Sequence, residues 1–264
     1  MTVNLHAHTT RCGHASGTER DYIERAIEGG LAQFGFSDHA PWRFPDGYES
    51  GYRVPVAEAQ DYVDTLRRLR EEYRDRIRIH IGFEMEYYPA YFEQMREFVS
   101  NLGAEYLILG CHFMNNERPD GIYAGCITDS LEVLRLYVDT VVGGIQTGAF
   151  TYAAHPDIIN FCGDEKLYAE EMSRICRASV ACNIPLELNF LGLRDGRRYP
   201  RHSFWEKVAE FGCPVVFGCD AHDAKSAYDK RTLAVAERMV ERYGLHLVEH
   251  PTLIHPKTGE KTLL

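Results

Sequence analysis

Seven strand-like apolar runs alternate with helical segments along almost the whole chain, and this alternation limits the possible folds more than any other feature. The strand candidates are 3–8, 33–38, 77–84, 106–112, 151–155, 185–190 and 214–220. Helix candidates lie between them at 19–29, 56–74, 91–101, 130–143, 166–182 and 203–211, and 230–243 comes last. Within 56–74, Val56, Tyr62, Val63, Leu66, Leu69 and Tyr73 form a stripe near helical spacing. Gly29-Gly30, Gly103, Gly212 and Gly244 follow helices as stop signals should. Neighbouring parallel strands need a crossover, usually a helix, so strand–helix units in series imply a parallel sheet. That sheet is either open and doubly wound or closed into a barrel. Neither Gly-x-Gly-x-x-Gly nor Gly-x-x-x-x-Gly-Lys-Ser/Thr follows the first strand, which weakens the nucleotide-binding open sheet.

The residues that end the strands separate the two. His6-Ala7-His8 with His14, Ser37-Asp38-His39, Glu84, Cys111-His112, Ala154-His155-Pro156-Asp157 and Asp220-Ala221-His222 stand at or just past the ends of apolar runs. Imidazole and carboxylate are the ligand types that Zn²⁺, Mn²⁺ and Fe²⁺ share. One such cluster is commonly a hydrogen-bonded core residue, whereas a series of them points to a polynuclear metal site. Ligands from six strands converge only if the strands ring the point of convergence, as at the C-terminal mouth of a β/α barrel. The expectation is therefore an α/β fold, a distorted (β/α)₇ TIM-like barrel, with 1–264 as a single domain. Period-two alternation puts His6 and His8 on one strand face, and Asp220 and His222 repeat the spacing.

The order and spacing of these fragments resemble the PHP (polymerase and histidinol phosphatase) superfamily of metal-dependent phosphoesterases, and within it the histidinol-phosphate phosphatases. The likeness runs through His6-Ala7-His8, His14, Ser37-Asp38-His39, Gly82-Phe83-Glu84, His112, Ala154-His155-Pro156 and Asp220-Ala221-His222. It implies three divalent ions (Zn, Fe or Mn). His6, His8, Glu84 and Asp220 would hold the first. Glu84 would bridge to the second, completed by His112 and His155, and His14, His39 and His222 would hold the third. Glu86 would share a strand face with Glu84, but Glu84 directly follows Gly82-Phe83, as in the family motif. Asp38 and Asp157 are expected to orient His39 and His155, or to act as caps. Cys12, Cys111 and Cys219 neighbour ligands but are expected to be packing residues. His80, His202, His246, His250 and His255 are set aside as ordinary structural or surface histidines.

The implied reaction is phosphomonoester hydrolysis, with L-histidinol phosphate of histidine biosynthesis as substrate. Two ions bridged by a carboxylate lower the pKa of water from about 15.7 to about 7, which makes hydroxide available to attack phosphorus. Glu84 and Asp220 would be the catalytic carboxylates; Asp220 could also relay a proton, but a metal-bound carboxylate is a poor base and its ligand role is the firmer expectation. Another small-molecule monophosphate, such as a nucleotide, and protein phosphotyrosine are the competing substrates. Phosphate suits arginine forks. Arg194 is the first choice, Arg197 the second, and Arg11 between two ligands a third. A solvated loop is the plain alternative for the arginine-rich run 191–201. Glu117, Asp120 and Trp42 are available for the leaving group, with nothing to choose among them. The 41–55 segment is expected to overhang the mouth, or to be a plain surface loop.

The net charge of −10 argues against a nucleic-acid surface. No run is apolar enough to span a bilayer, no secretory leader is evident, and none of the eight cysteines forms a Cys-x-x-Cys pair. The expectation is reduced thiols in a cytoplasmic protein that meets a small molecule and no membrane.

Overall fold

The computed structural model describes residues 1–118 and 121–264. Asp120 lies outside the described residues. The strands are β1 (Val3–Asn4), β2 (Gln33–His39), β3 (Arg78–Glu86), β4 (Tyr106–Gly110), β5 (Phe113–Met114), β6 (Ile122–Tyr123), β7 (Tyr152–Ala153), β8 (Leu186–Asn189), β9 (Pro214–Gly218), β10 (His246–Leu247), β11 (Thr252–Ile254) and β12 (Lys261–Leu263). The helices are α1 (Glu19–Glu28), α2 (Ala59–Tyr73), α3 (Phe92–Leu102), α4 (Leu131–Gln146), α5 (Glu165–Cys182), α6 (Phe190–Asp195), α7 (His202–Glu210) and α8 (Lys230–Tyr243).

The main sheet is parallel throughout, in the order β1-β2-β3-β4-β7-β8-β9-β10. Beyond β1 the chain crosses to the far edge: Ala7 bridges Ala221, the His8 amide donates to the Ala221 carbonyl at 2.9 Å, and the Ala221 amide to His6 at 3.3 Å. Seven strands thus form the ring, and β10 is added at the start of β9. This is the distorted TIM-like barrel expected from the alternation. The expected first strand is shortened to Val3–Asn4 plus the Ala7 bridge; Ala7 still accepts from the Ser37 amide of β2 at 2.8 Å on one side while it bridges Ala221 on the other, and so seals the ring.

Val3, Leu5, Tyr106, Ile108, Tyr152, Ala154 and Val216 fill one buried cluster, and Leu253 closes it. Leu253 belongs to the antiparallel β11–β12 hairpin, beyond the last of the helix candidates. The helices cover the outside through the expected stripes. In α2, Tyr62, Val63, Leu66, Leu69 and Tyr73 are buried, while Val56 belongs to a short 3₁₀ turn before the helix. Thr18 and Asp21 form a capping box that starts α1, and Asp164 caps α5. No helix among the described residues is long and apolar enough to cross a membrane.

His80 in β3 is 7% exposed, with Nε2 2.8 Å from Gln33 Oε1. Burial pushes its pKa down to about 4. As pH falls, the unfolded chain takes up this proton first, near pH 6.5, so the site's contribution to stability is complete above that pH and is lost toward pH 4. We expect a loss of about 2 kcal/mol between pH 8 and pH 5 from this group. Urea unfolding at both pH values should show a smaller loss in His80→Gln. Equal losses in the two proteins would remove His80 from the account.

Candidate metal centre

The C-terminal ends of the ring strands open on a cavity of about 710 Å³, and every expected metal ligand except His6 lines it. His6 lies deeper and is wholly buried. Alternation past the end of β1 turns His6 and His8 to the same side, toward Glu84 of β3 and Asp220 beyond β9. His6 Nε2 is 3.5 Å from both Glu84 Oε2 and Asp220 Oδ1. His8 Nε2 is 3.5 Å from the same Glu84 oxygen and 3.3 Å from the same Asp220 oxygen. Ligand bonds of about 2.1 Å in a tetrahedron separate donor atoms by about 3.4 Å, so these four atoms fit the shell of a Zn²⁺-sized ion. His6 Nε2, His8 Nε2 and Glu84 Oε2 are buried without a hydrogen-bond partner. Buried polar atoms left unmatched are costly, and a cation among them removes that cost. The donor set therefore fits the divalent ions expected from the sequence.

Glu84 uses its two oxygens differently. Oε2 faces His6, His8 and, at 3.2 Å, His39 Nδ1. Oε1 faces His155 Nε2 at 2.8 Å and His112 Nε2 at 3.7 Å. This is the orientation a bridging carboxylate requires. Its neighbour Gly110 makes it possible: a Cβ there would stand 2.5 Å from Oε1. His14, His39 and His222 offer a further group of donors within 4.8 Å of one another. His39 stands between the groups, since it also clusters with Glu84 and His112.

Two of the expected ligands lie on strained backbone. His155 has φ 28° and Asp220 φ 45°, values sparsely populated by residues with a side chain. Each follows the end of a ring strand, β7 or β9, where the chain would otherwise run on straight; a left-handed residue redirects it. Such outliers concentrate at functional sites.

Most of the imidazoles have Nδ1 engaged and Nε2 left for the cavity. Nδ1 of His6 meets Glu187 at 2.7 Å, His8 meets Asp38 at 3.4 Å, and His112 meets Glu86 at 2.9 Å. His14 and His222 meet the carbonyls of Cys12 and Asp220 at 2.9 and 3.2 Å. Carboxylate or carbonyl behind imidazole is the usual way a metal-binding tautomer is fixed. Burial would raise the Glu84 carboxyl, but His112, His39, His155 and His6 hold it well below the usual range. Asp220 is likewise held well below, against burial, chiefly by His6 and His8. Burial lowers His14 and His39, and takes His222 down to about 3, so these rings are neutral. His8 goes the other way, to about 9: burial opposes the rise, but bonds to Asp220 and Asp38 outweigh it. Against burial, Glu187, Asp220 and Glu84 also hold His6 well above its usual value, and carboxylates that draw protons to these rings would draw a divalent cation in their place.

Several expectations need correction. Asp38 serves His8 and Thr9, not the His39 ring; it reaches only the His39 amide. Asp157 accepts from the Arg201 amide and Trp205 Nε1, anchoring the start of α7, and makes no bond to His155. Arg11 is not brought to the cavity. The 3₁₀ turn Thr10–Cys12 points it outward, where Glu19 and Asp61 (2.7 Å) take up its guanidinium. Glu117 is occupied by Arg53, and Trp42 is not at the cavity wall. Arg194 and Arg197 do line it. Arg194 Nη2 lies 3.5 Å from the Asp220 carbonyl, and its Nη1 is buried without a partner. The arginine-rich run begins as the short helix α6, capped by the Asn189 side chain on the Gly192 amide at 3.1 Å, which carries Arg194; from Gly196 to Arg201 it is irregular chain. Cys12 is buried beside His8 and His222, and burial and Asp38 push its thiol up to about 12; burial also raises Cys111 and Cys219.

Sequence reasoning missed Glu187. It is wholly buried, bonds His6, receives the His155 amide at 2.9 Å and the Asn189 side chain at 2.8 Å. Gly218 clears its place, since a Cβ there would come within 1.7 Å of Oε1. The signal was present: between Leu186 and Leu188, Glu187 and Asn189 share the face that points into the ring.

The chain's likeness to known proteins follows the same lines. It is 26% identical over 225 residues to a probable histidinol-phosphatase of Deinococcus radiodurans, covering 82% of this chain and 85% of that one. It is 26% identical over 257 residues to the histidinol-phosphatase of Bacillus subtilis, covering 83% and 92%. The histidinol phosphate phosphatase of Lactococcus lactis, solved in complex with zinc, L-histidinol and phosphate, superposes with a TM-score of 0.74 at 20% identity, over 97% of this chain and 98% of that one. Residues 4–190, which carry the ring strands through β8, match the profile of the PHP domain, and the chain belongs to that family.

Proposed function

We propose that the chain is a metal-dependent phosphomonoesterase that hydrolyses L-histidinol phosphate to L-histidinol and phosphate. The observation that carries the chemistry is the set of donor atoms on His6, His8, Glu84 and Asp220, 3.3–3.5 Å apart and mostly unpartnered. The names of the relatives supply the substrate. In this reading His6, His8, Glu84 and Asp220 hold one ion, Glu84, His112 and His155 a second, and His14, His39 and His222 a third. Zn²⁺, Fe²⁺ and Mn²⁺ all suit these donors. Bound there, divalent ions would polarise the phosphoryl oxygens and lower the pKa of a water to about 7.

The chain's own groups do the rest. Glu84 and Asp220, held ionised, fix where positive charge stands. Arg194 presents a free N–H on buried Nη1 beside Asp220, suited to a non-bridging phosphoryl oxygen, and Arg197 adds a second donor. The leaving group meets the Tyr52, Phe113 and Tyr123 side of the cavity. The same reading takes 1–264 as a single domain that works in the cytoplasm on a small molecule, with no nucleic-acid or membrane partner.

Arg194→Ala should raise KM about 10- to 100-fold, the worth of one or two charge-assisted hydrogen bonds, with a smaller change in kcat. Steady-state kinetics on the metal-loaded protein would show it, and an unchanged KM would remove Arg194 from the phosphate site. The substrate is tested by comparing kcat/KM for L-histidinol phosphate, nucleoside monophosphates and phosphotyrosine peptides. At least about tenfold preference for histidinol phosphate is expected, and a smaller one overturns the substrate while leaving the chemistry.

A further inference from the structure

A cluster of buried charge outside the proposed ligands lies where the 41–55 segment meets the end of β3. Arg53 is 2% exposed, and the carboxylates of Glu86 and Glu117 close on it from two elements. Its Nε donates to Glu117 at 2.6 Å, its Nη2 pairs with Glu86, and its Nη1 donates to the Ala40 carbonyl at 2.8 Å. The Tyr52 hydroxyl lies between the same two carboxylates and accepts from Arg53 Nη2 at 3.2 Å. One guanidinium and one hydroxyl proton serve two carboxylates, so the cluster carries excess negative charge.

The remaining donor is a proposed metal ligand. Glu86 Oε1 accepts from His112 Nδ1 at 2.9 Å, which leaves His112 Nε2 directed at Glu84. A cation on Nε2 makes the Nδ1 proton a stronger donor, and so relieves the charge on Glu86. Tyr52, next to Arg53 in sequence, forms part of the cavity wall and meets the His39 ring edge-on at 4.9 Å. The segment thus contributes a cavity wall and, through Arg53 and Glu86, reaches the back of His112.

We propose that Arg53 is a positioning residue that couples closure of the 41–55 segment to metal affinity at the His112 site. The inference rests on the ligand role proposed for His112. Coupling of this kind is reciprocal: if the closed segment strengthens metal binding, metal must hold the segment closed by the same factor.

The first test uses the unaltered protein. Hydrogen exchange across 41–55 should slow about tenfold or more when chelator-treated protein is loaded with Zn²⁺. The second measures Zn²⁺ affinity by competition with a chromophoric chelator. Arg53→Met should weaken one class of site about 10- to 100-fold and make exchange in 41–55 insensitive to Zn²⁺. Tyr52→Phe, which removes only the shared hydroxyl, should shift Zn²⁺ affinity in the same direction, and serves if the Met variant does not fold. Unchanged exchange in the unaltered protein on Zn²⁺ loading overturns the proposal, as does native Zn²⁺ affinity in folded Arg53→Met. None of these readouts involves a substrate. Coupled Zn²⁺ binding without turnover of histidinol phosphate would fail the functional reading alone, whereas protein that binds no Zn²⁺ fails both.

Discussion

Glu84→Gln is expected to lower kcat/KM for L-histidinol phosphate by about 10³-fold or more, and to reduce the number of ions bound. The size follows from the double duty of this one side chain. Its Oε2 is shared by His6, His8 and His39, and its Oε1 by His155 and His112. Glutamine keeps the shape, so the neighbouring Gly110 still accommodates it. It replaces one oxygen by an NH₂ group that cannot ligate, and it removes the negative charge. Whichever way the amide turns, one set of imidazoles loses its shared oxygen. A loss of about 4 kcal/mol in transition-state stabilisation corresponds to the stated factor. Metal analysis after gel filtration, together with kinetics, separates the alternatives. Full metal content with kcat/KM within tenfold of the unaltered protein would sink the bridging role.

The features legible in the sequence share a physical basis. A ligand at a strand end is a local signal, because the apolar run marks the strand and the polar residue marks its mouth. Seven such runs in series then leave few topologies, and the ring closed by Ala7 and Ala221 is the one found. Contacts between distant segments were not legible. Arg53 meets Glu86 and Glu117 across 33 and 64 residues, and no local pattern records that pairing. Arg11 shows the converse error: nearness in sequence to His8 and His14 suggested nearness to phosphate, but a single 3₁₀ turn reverses its direction. Glu187 is a different case. Its alternation with Leu186 and Leu188 is readable, but a carboxylate inside a strand lacks the end-of-run position that marks the other groups. The β11–β12 hairpin went unseen because its strands are three residues each and only Leu253 is buried deep in the ring.

Chelation and dialysis are expected to abolish hydrolysis, with recovery when Zn²⁺, Mn²⁺ or Fe²⁺ is restored, while the protein remains folded at 25 °C. The loss of activity is expected to be total because the charge an ion brings to the phosphoryl oxygens has no ready substitute; among the described residues, Arg194 and Arg197 are the only arginines or lysines lining the cavity. Retention of the fold follows from where the core lies. The Val3, Tyr106, Ile108, Tyr152 and Leu253 cluster fills the ring below the ligands, and the helices pack outside it. Stability should nevertheless fall. An ion present at 100 to 1,000 times its Kd stabilises the state that binds it by about 3 to 4 kcal/mol per site. For a chain of this size each kcal/mol moves the thermal midpoint by about 2–4 °C, so loss of even one site should lower it by about 5–15 °C. Scanning calorimetry with and without chelator measures this, and the drop should be smaller in His8→Asn, which has already lost a ligand shared between Glu84 and Asp220. Full activity in chelator would eliminate the metal mechanism. An unchanged midpoint with activity lost would place the ions at the surface of the mouth, away from the buried His6–His8–Glu84–Asp220 set.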